Sequence, residues 1–267
     1  MDLAECSLNS ITARSAGLDD LVGLAAAHGF GGVGLWRDVL VGVDLTAASA
    51  RIADAGLRVT SVCRGGMFPQ PDEPSRRRTF DDNREAVDQT NALRADCLVL
   101  VCGPSHSTLA DARAQVRDGI AALAPYARDA GVRLAIEPFH PMLAASRSVV
   151  TSIGEANALV EALDDDVVGL AVDAYHLWWD AALTEQIRRA GSSISCVQLA
   201  DWVTPIQGEL SSRGMPGEGC IDMAAFVAEC RAAGYRGLVE VEVLSDDWWA
   251  EPAAVSVRAA AAGLAAL

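Results

Sequence analysis

Short apolar runs alternate with Ala-rich stretches of helical periodicity along the whole chain, and the alternation repeats about every 33 residues. The runs with strand character are Ala4–Leu8, Gly32–Trp36, Leu57–Cys63, Asp96–Cys102, Val132–Glu137, Val167–Asp173, Ile194–Asp201 and Leu238–Leu244. Between and after them the pattern predicts helices near Leu18–His28, Leu45–Ala55, Ser75–Leu93, Leu109–Ala130, Ser152–Leu163, Ala182–Ala190, Met223–Ala233 and Pro252–Ala266. Gly56, Gly131, Gly191 and Gly234 each follow an alanine at a predicted helix end, where a left-handed residue stops the helix.

Eight strand–helix units in 267 residues predict an α/β fold, a single (β/α)8 TIM barrel occupying residues 1–267 as one domain. The competing architecture is a doubly wound open sheet. That fold usually carries a Gly-rich turn after its first strand, and here the turn reads Leu8-Asn9-Ser10-Ile11-Thr12. The longest irregular stretches, Arg64–Pro74 and Trp202–Gly219, both follow strands and are expected on the catalytic face.

A barrel builds its active site from the C-terminal ends of its strands. Those ends supply Asn9, Trp36, Arg37, Arg64-Gly65-Gly66, His106, Glu137, His140, Asp173, His176, Trp178, Trp179, Gln198, Asp201, Trp202, Glu240, Glu242, Trp248 and Trp249. All six tryptophans and three of the four histidines thus fall on one face. Side chains alternate along a strand, so an inward Glu137 places Ala135 inward, and an inward Asp173 places Ala171 and Gly169 inward. Small residues beneath the two acids leave room for an ion. Gln198 and Glu242 complete a set of four oxygen donors. Such a hard set suits Mn²⁺ or Mg²⁺, and admits Co²⁺ or Zn²⁺. Without a cation, three neighbouring carboxylates would repel one another. Glu240 shares the parity of Glu242 one layer deeper and competes with it as the ligand from the eighth strand. Otherwise it is expected to pair with an arginine.

Composition narrows the chemistry. The net charge of −15 argues against nucleic acid as a partner. There is no lysine among the 21 basic residues, so neither a Schiff base nor a lysine general base is available. None of the seven cysteines forms a CxxC pair, and reduced core thiols are expected. No apolar run approaches the roughly 20 residues of a membrane helix. The N-terminal MDLAECSLNS lacks a basic region followed by an apolar core, so a cytoplasmic location is expected.

Five segments resemble the xylose isomerase-like barrel superfamily in its sugar phosphate isomerase/epimerase branch. They are LAIEPFHP (134–141), VGLAVDAYHLWWD (168–180), VQLADW (197–202), RGMPGEGCID (213–222) and VEVEVLSDDWW (239–249). The resemblance implies metal binding by Glu137, Asp173 and Glu242, a substrate-facing His176, and a substrate-binding Arg213. The family commonly has histidine where this chain has Gln198, which weakens transfer of the epimerase reaction. His140 is similar to a proton-transfer histidine of the dehydratases, one residue further along.

The reaction expected is proton abstraction beside a carbonyl of a polyol, sugar or keto acid, through an enediolate stabilised by a divalent metal. Glu137 and Glu242 would serve as base and acid. His176 and Arg213 would hold substrate oxygens, Arg64-Gly65-Gly66 would let backbone approach the substrate with Arg64 as a substrate contact, and Trp36, Trp178 and the Trp248–Trp249 pair would wall the pocket. Glu218 in the Pro216–Gly219 loop argues against a phosphorylated substrate. A metal-dependent lyase using His140 or His176 as base is the alternative. A non-catalytic sugar-binding barrel or subunit is a further one. A DNA-repair endonuclease is disfavoured by the charge and by having only four histidines. A homodimer is compatible with these readings.

Overall fold

Eight parallel strands close into a barrel in the computed structural model, which describes all 267 residues. In chain order the strands are β1 (Cys6–Asn9), β2 (Gly32–Trp36), β3 (Arg58–Gly66), β4 (Cys97–Val101), β5 (Leu134–Glu137), β6 (Val168–Asp173) and β7 (Ile194–Leu199), then the short β8 (Asp201–Trp202) and β9 (Arg213–Gly214), and finally β10 (Val239–Val241). The barrel runs β1-β10-β7-β6-β5-β4-β3-β2, while β8 and β9 form a separate antiparallel pair. The single (β/α)8 TIM barrel read from the sequence is the observed fold.

The surrounding helices are α1 (Leu18–His28), α2 (Leu45–Asp54), α3 (Glu73–Ala92), α4 (Leu109–Asp129), α5 (Ile153–Leu163), α6 (Ala174–Leu177), α7 (Leu183–Ala190), α8 (Met223–Ala232), α9 (Asp246–Ala250) and α10 (Ala253–Ala265). Side chains of Asp44, Asp72, Thr108, Ser152 and Asp222 cap helix N-termini by accepting otherwise unpaired backbone N–H groups. The predicted closing helix from Pro252 begins one residue later, at Ala253, and the extra turn α9 precedes it.

Two layers of apolar packing follow from strand alternation. Leu134, Ile136, Leu170 and Val172 point outward into the main core beneath the helices. Ala135 and Ala171 point inward and join Cys97, Val99 and Cys196 in a small cluster inside the barrel. The parity read from the sequence is therefore the observed one, and it lifts Glu137, Asp173 and Gln198 to the layer above that cluster. All seven cysteines are free, and only Cys220 is exposed.

The Arg64-Gly65-Gly66 segment, expected as an irregular loop after the third strand, instead continues β3, with a register shift against β4 between Cys63 and Gly65. Space decides this. A Cβ at Gly66 would lie 2.0 Å from the Val101 carbonyl oxygen, and one at Gly65 would lie 2.8 Å from Asn83 Oδ1. Backbone approach at these glycines is thus to β4 and to Asn83 of α3, whose side-chain amide bonds both the N–H and the C=O of Gly66.

Candidate active site

Glu137 ends β5 and Asp173 ends β6, both buried at the C-terminal mouth of the barrel. Asp173 also caps the short α6: its Oδ1 accepts from the Tyr175 N–H at 2.9 Å. That turn brings His176 back over the acids, with Nε2 at 3.8 Å from Glu137 Oε1 and 3.7 Å from Asp173 Oδ2. Phe139 stacks on the imidazole at a centroid distance of 4.0 Å. One potential ligand atom from each of Glu137, Asp173 and His176 falls within 4.8 Å of the others.

Gln198 lies in register with Asp173 on one side and Glu240 on the other. Its Nε2 donates to Glu240 Oε1 at 3.0 Å, whereas its Oε1 is buried with no hydrogen-bond partner. A buried amide oxygen left without a donor is costly, and a cation is the partner that the neighbouring carboxylates also call for.

Glu240 and Glu242 share parity but differ in surroundings. Glu240 accepts from Asn9 Nδ2, Thr60 Oγ1, Ser61 Oγ and Gln198 Nε2, so its oxygens are taken up by protein donors. It pairs with hydroxyls and amides, not with the arginine expected from the sequence. Gly34 makes room for it, since a Cβ there would sit 2.4 Å from Glu240 Oε2. Glu242 lies just beyond β10, its N–H still bonded to the Leu199 carbonyl, and faces the open cavity. Trp36 Nε1 and Asn9 Nδ2 both donate to its Oε1, at 2.9 and 3.1 Å.

Arg213 is the one basic side chain buried in this acid cluster. Its Nη1 donates to Asp173 Oδ2 at 3.0 Å and lies 3.5 Å from Glu242 Oε2, and its Nη2 is 3.1 Å from His176 Nε2. A guanidinium only donates, so Nε2 accepts and the imidazole proton resides on Nδ1. Burial, then the charge of Arg213, holds His176 well below the usual histidine range. Burial, then the charges of Glu242 and Asp173, pushes Glu137 well above the carboxylate range. Burial also raises Asp173 against the pull of Arg213, and raises Glu242 to about 7. Three carboxyls against one guanidinium leave a deficit of positive charge that a divalent ion would supply. The donor set and the orphaned Gln198 oxygen therefore fit such an ion. Cys63 is pushed well above the usual thiol range by burial and then by Glu242 and Glu137, which argues against a thiolate nucleophile there.

A cavity of about 270 Å³ opens above these groups. Of the residues singled out in the sequence, Trp36, Arg64, Glu137, Arg213, Glu242 and Trp249 line it. Others lie elsewhere. Trp178 faces a separate groove with Leu183 and Ile187, because the turn of α6 carries it to the outer side. Trp248 directs Nε1 to Glu218 Oε2 at 3.2 Å, while Trp249 lines the cavity, since successive helical residues point about 100° apart. His140 packs between Trp179 and Trp202, and burial lowers its pKa. Glu218 also accepts the Met215 N–H, and its carboxylate is held outside this cavity. Asn9 gained no role from the sequence beyond its place at a strand end. Arg14 and Arg147 sit deeper in the loops, where strand-end reasoning does not look.

An acid-rich, cation-deficient centre at the C-terminal mouth of a parallel barrel lies where barrel enzymes place their active sites. The sequence model of the family described as xylose isomerase-like TIM barrel matches residues 22–266, and the chain belongs to that family. It is similar to a 3-dehydroshikimate dehydratase of Pseudomonas aeruginosa, 30% identical over 237 residues, which cover 85% of this chain and 36% of that protein. The chain thus spans only about a third of the length of the curated relatives it first matches. Protein SMc04130 from Sinorhizobium meliloti 1021 superposes with a TM-score of 0.94 at 41% identity, covering 98% of each chain. The IOLI protein, solved with a zinc atom, superposes with a TM-score of 0.85 at 19% identity, covering 98% of this chain and 96% of that one.

Proposed function

We propose that the chain is a divalent-metal-dependent isomerase or epimerase that moves a proton at the carbon beside a carbonyl of a hydroxylated small molecule. One observation carries this reading: two buried carboxyls, Glu137 and Glu242, from strands three places apart around the barrel, face one cavity, and the side-chain oxygen of Gln198, on a strand between them, is buried without a partner. Glu137, Asp173, Gln198 and Glu242 would hold the ion. The chemistry an ion supplies when bound there is polarisation of a carbonyl oxygen and neutralisation of the charge that develops on it. Glu137 takes the proton as the substrate C–H bond breaks, and Glu242 returns one to carbon from the other side. Asn9 and Trp36 hold the Glu242 carboxyl in place, and the Trp36 and Trp249 rings exclude water from the cavity walls.

A metal-dependent lyase is the second reading. Gln198 in place of the common histidine and the dehydratase among the relatives both favour it. The histidine geometry does not: His140 lies outside the cavity, and His176 Nε2 is engaged by Arg213.

Incubating the Mn²⁺-loaded chain in D₂O with candidate keto sugars and with 3-dehydroshikimate separates the readings. Conversion with no loss of water and deuterium gained at carbon supports the isomerase, and loss of water supports the lyase. Glu137→Gln is expected to lose both metal content and turnover. Full metal content and full activity in that variant would exclude this function.

A further inference from the structure

Three arginines on the cavity wall, Arg14, Arg64 and Arg147, make no ion pair, although the chain carries 36 acidic residues. Eleven of the 21 arginines pair with a carboxylate, including Arg213 at the cavity floor. Arg14 stacks its guanidinium 4.4 Å above the ring of Trp249, and Arg64 and Arg147 point theirs at no protein acceptor. The cavity lining as a whole holds four arginines against Asp38, Glu137 and Glu242, in a protein of net charge −15. Above the acid-rich floor, the cavity lining therefore carries more basic than acidic side chains, unlike the molecule at large.

The proposed ion ligands come from β5, β6, β7 and the end of β10. The free arginines come from β3, across the barrel from the ligand strands, and from the loops after β1 and β5, beside the two ends of the ligand arc, and so are spread around the opening. A guanidinium presents paired N–H donors in a fixed fork that matches a planar or tetrahedral oxyanion. Neutral polyols offer no group that needs three such cations.

We infer that Arg14, Arg64 and Arg147 form an oxyanion-recognition rim, and that the substrate is an anionic polyol or keto compound. Its carboxylate or phosphate is held at the rim of the cavity whose floor carries the proton-exchanging groups. This rests on the proposed function only in using the same cavity. The rim also concentrates anions at the opening against the repulsion of the acidic surface.

The test is calorimetric titration of the whole chain, with and without Mn²⁺, using three cyclic probes: quinate, inositol 1-phosphate and myo-inositol. At least one anion is expected to bind tenfold or more tightly than myo-inositol, roughly the value of one charge-assisted contact. The tighter of the two anions identifies the source of the oxyanion. Arg14→Gln, Arg64→Gln and Arg147→Gln should each weaken that anion several-fold and leave myo-inositol unchanged. Arg64→Lys should retain part of the affinity, because it keeps the charge and loses the fork. All three side chains reach solvent, so the folded state is expected to survive, as circular dichroism would show. The inference is overturned if the wild type binds all three probes equally, if neither anion binds at about 10 mM, or if the triple Arg→Gln variant still prefers the anion. Anion preference in a chain that binds no metal and exchanges no proton would support the rim and refute the proposed function.

Discussion

Gln198 shows how one side chain can be read twice. Its amide nitrogen is fixed by Glu240, so its oxygen has one direction to face, and that direction holds no donor. Glu240 thereby acts on the centre without touching the cavity: it orients Gln198 directly, and it shares Asn9 with Glu242. Outer partners of this kind typically set 10- to 100-fold in metal affinity. Glu240→Gln places an amide donor against the hydroxyls and amides that now donate to Glu240. It is expected to weaken Mn²⁺ binding by about that factor, read by titration calorimetry, while the cavity-lining residues stay unchanged. Unaltered affinity would remove Glu240 from any role at the centre.

At the scale of elements, glycines separate the close approaches from the open ones. Gly34 of β2 gives its space to Glu240, so Gly34→Ala forces either the strand or the buried carboxyl to move. Overpacking of this kind costs about 1–3 kcal/mol. Gly23 lies inside α1, and a Cβ added there would meet nothing within 4 Å. Gly23→Ala is expected to stabilise by about 0.5–1 kcal/mol, because alanine loses less chain entropy in a helix. Urea denaturation of the two variants should move the midpoint in opposite directions. Movement in the same direction would mean that the barrel relaxes around Glu240.

For the whole molecule, the centre makes stability depend on pH. The folded pKa of Glu242 is raised from 4.5 to about 7, and Glu137 and Asp173 are raised as well. A carboxyl with a raised folded pKa stabilises fully below its unfolded value and loses that contribution as pH rises through the folded one. The metal-free chain should therefore lose thermal stability from about pH 4.5 to 7 through Glu242, with Glu137 and Asp173 acting in the same sense. His176, with a lowered pKa, acts in the opposite sense as pH falls below its unfolded value of 6.5. Mn²⁺ should raise the melting temperature more at about pH 8 than at about pH 5, since its ligands must be deprotonated. Equal shifts at both values would argue against carboxylate ligation. No helix is long and apolar enough to cross a membrane.

The alternation of apolar runs with helical stretches was enough to determine the barrel, because each strand and helix is written in local periodicity. Parity along the strands likewise tied Glu137 to Ala135 and Asp173 to Ala171 on one face, since a two-residue repeat depends on nothing distant. Three-dimensional packing decided the rest. Whether Glu240 or Glu242 faces the cavity depends on donors from β1, β3 and β7. Which tryptophan lines it depends on the phase of a short helix, and β3 continues through Gly66 because β4 and Asn83 leave no room for a side chain. The unpaired state of Arg14, Arg64 and Arg147 is a relation among distant loops, and no local pattern records it.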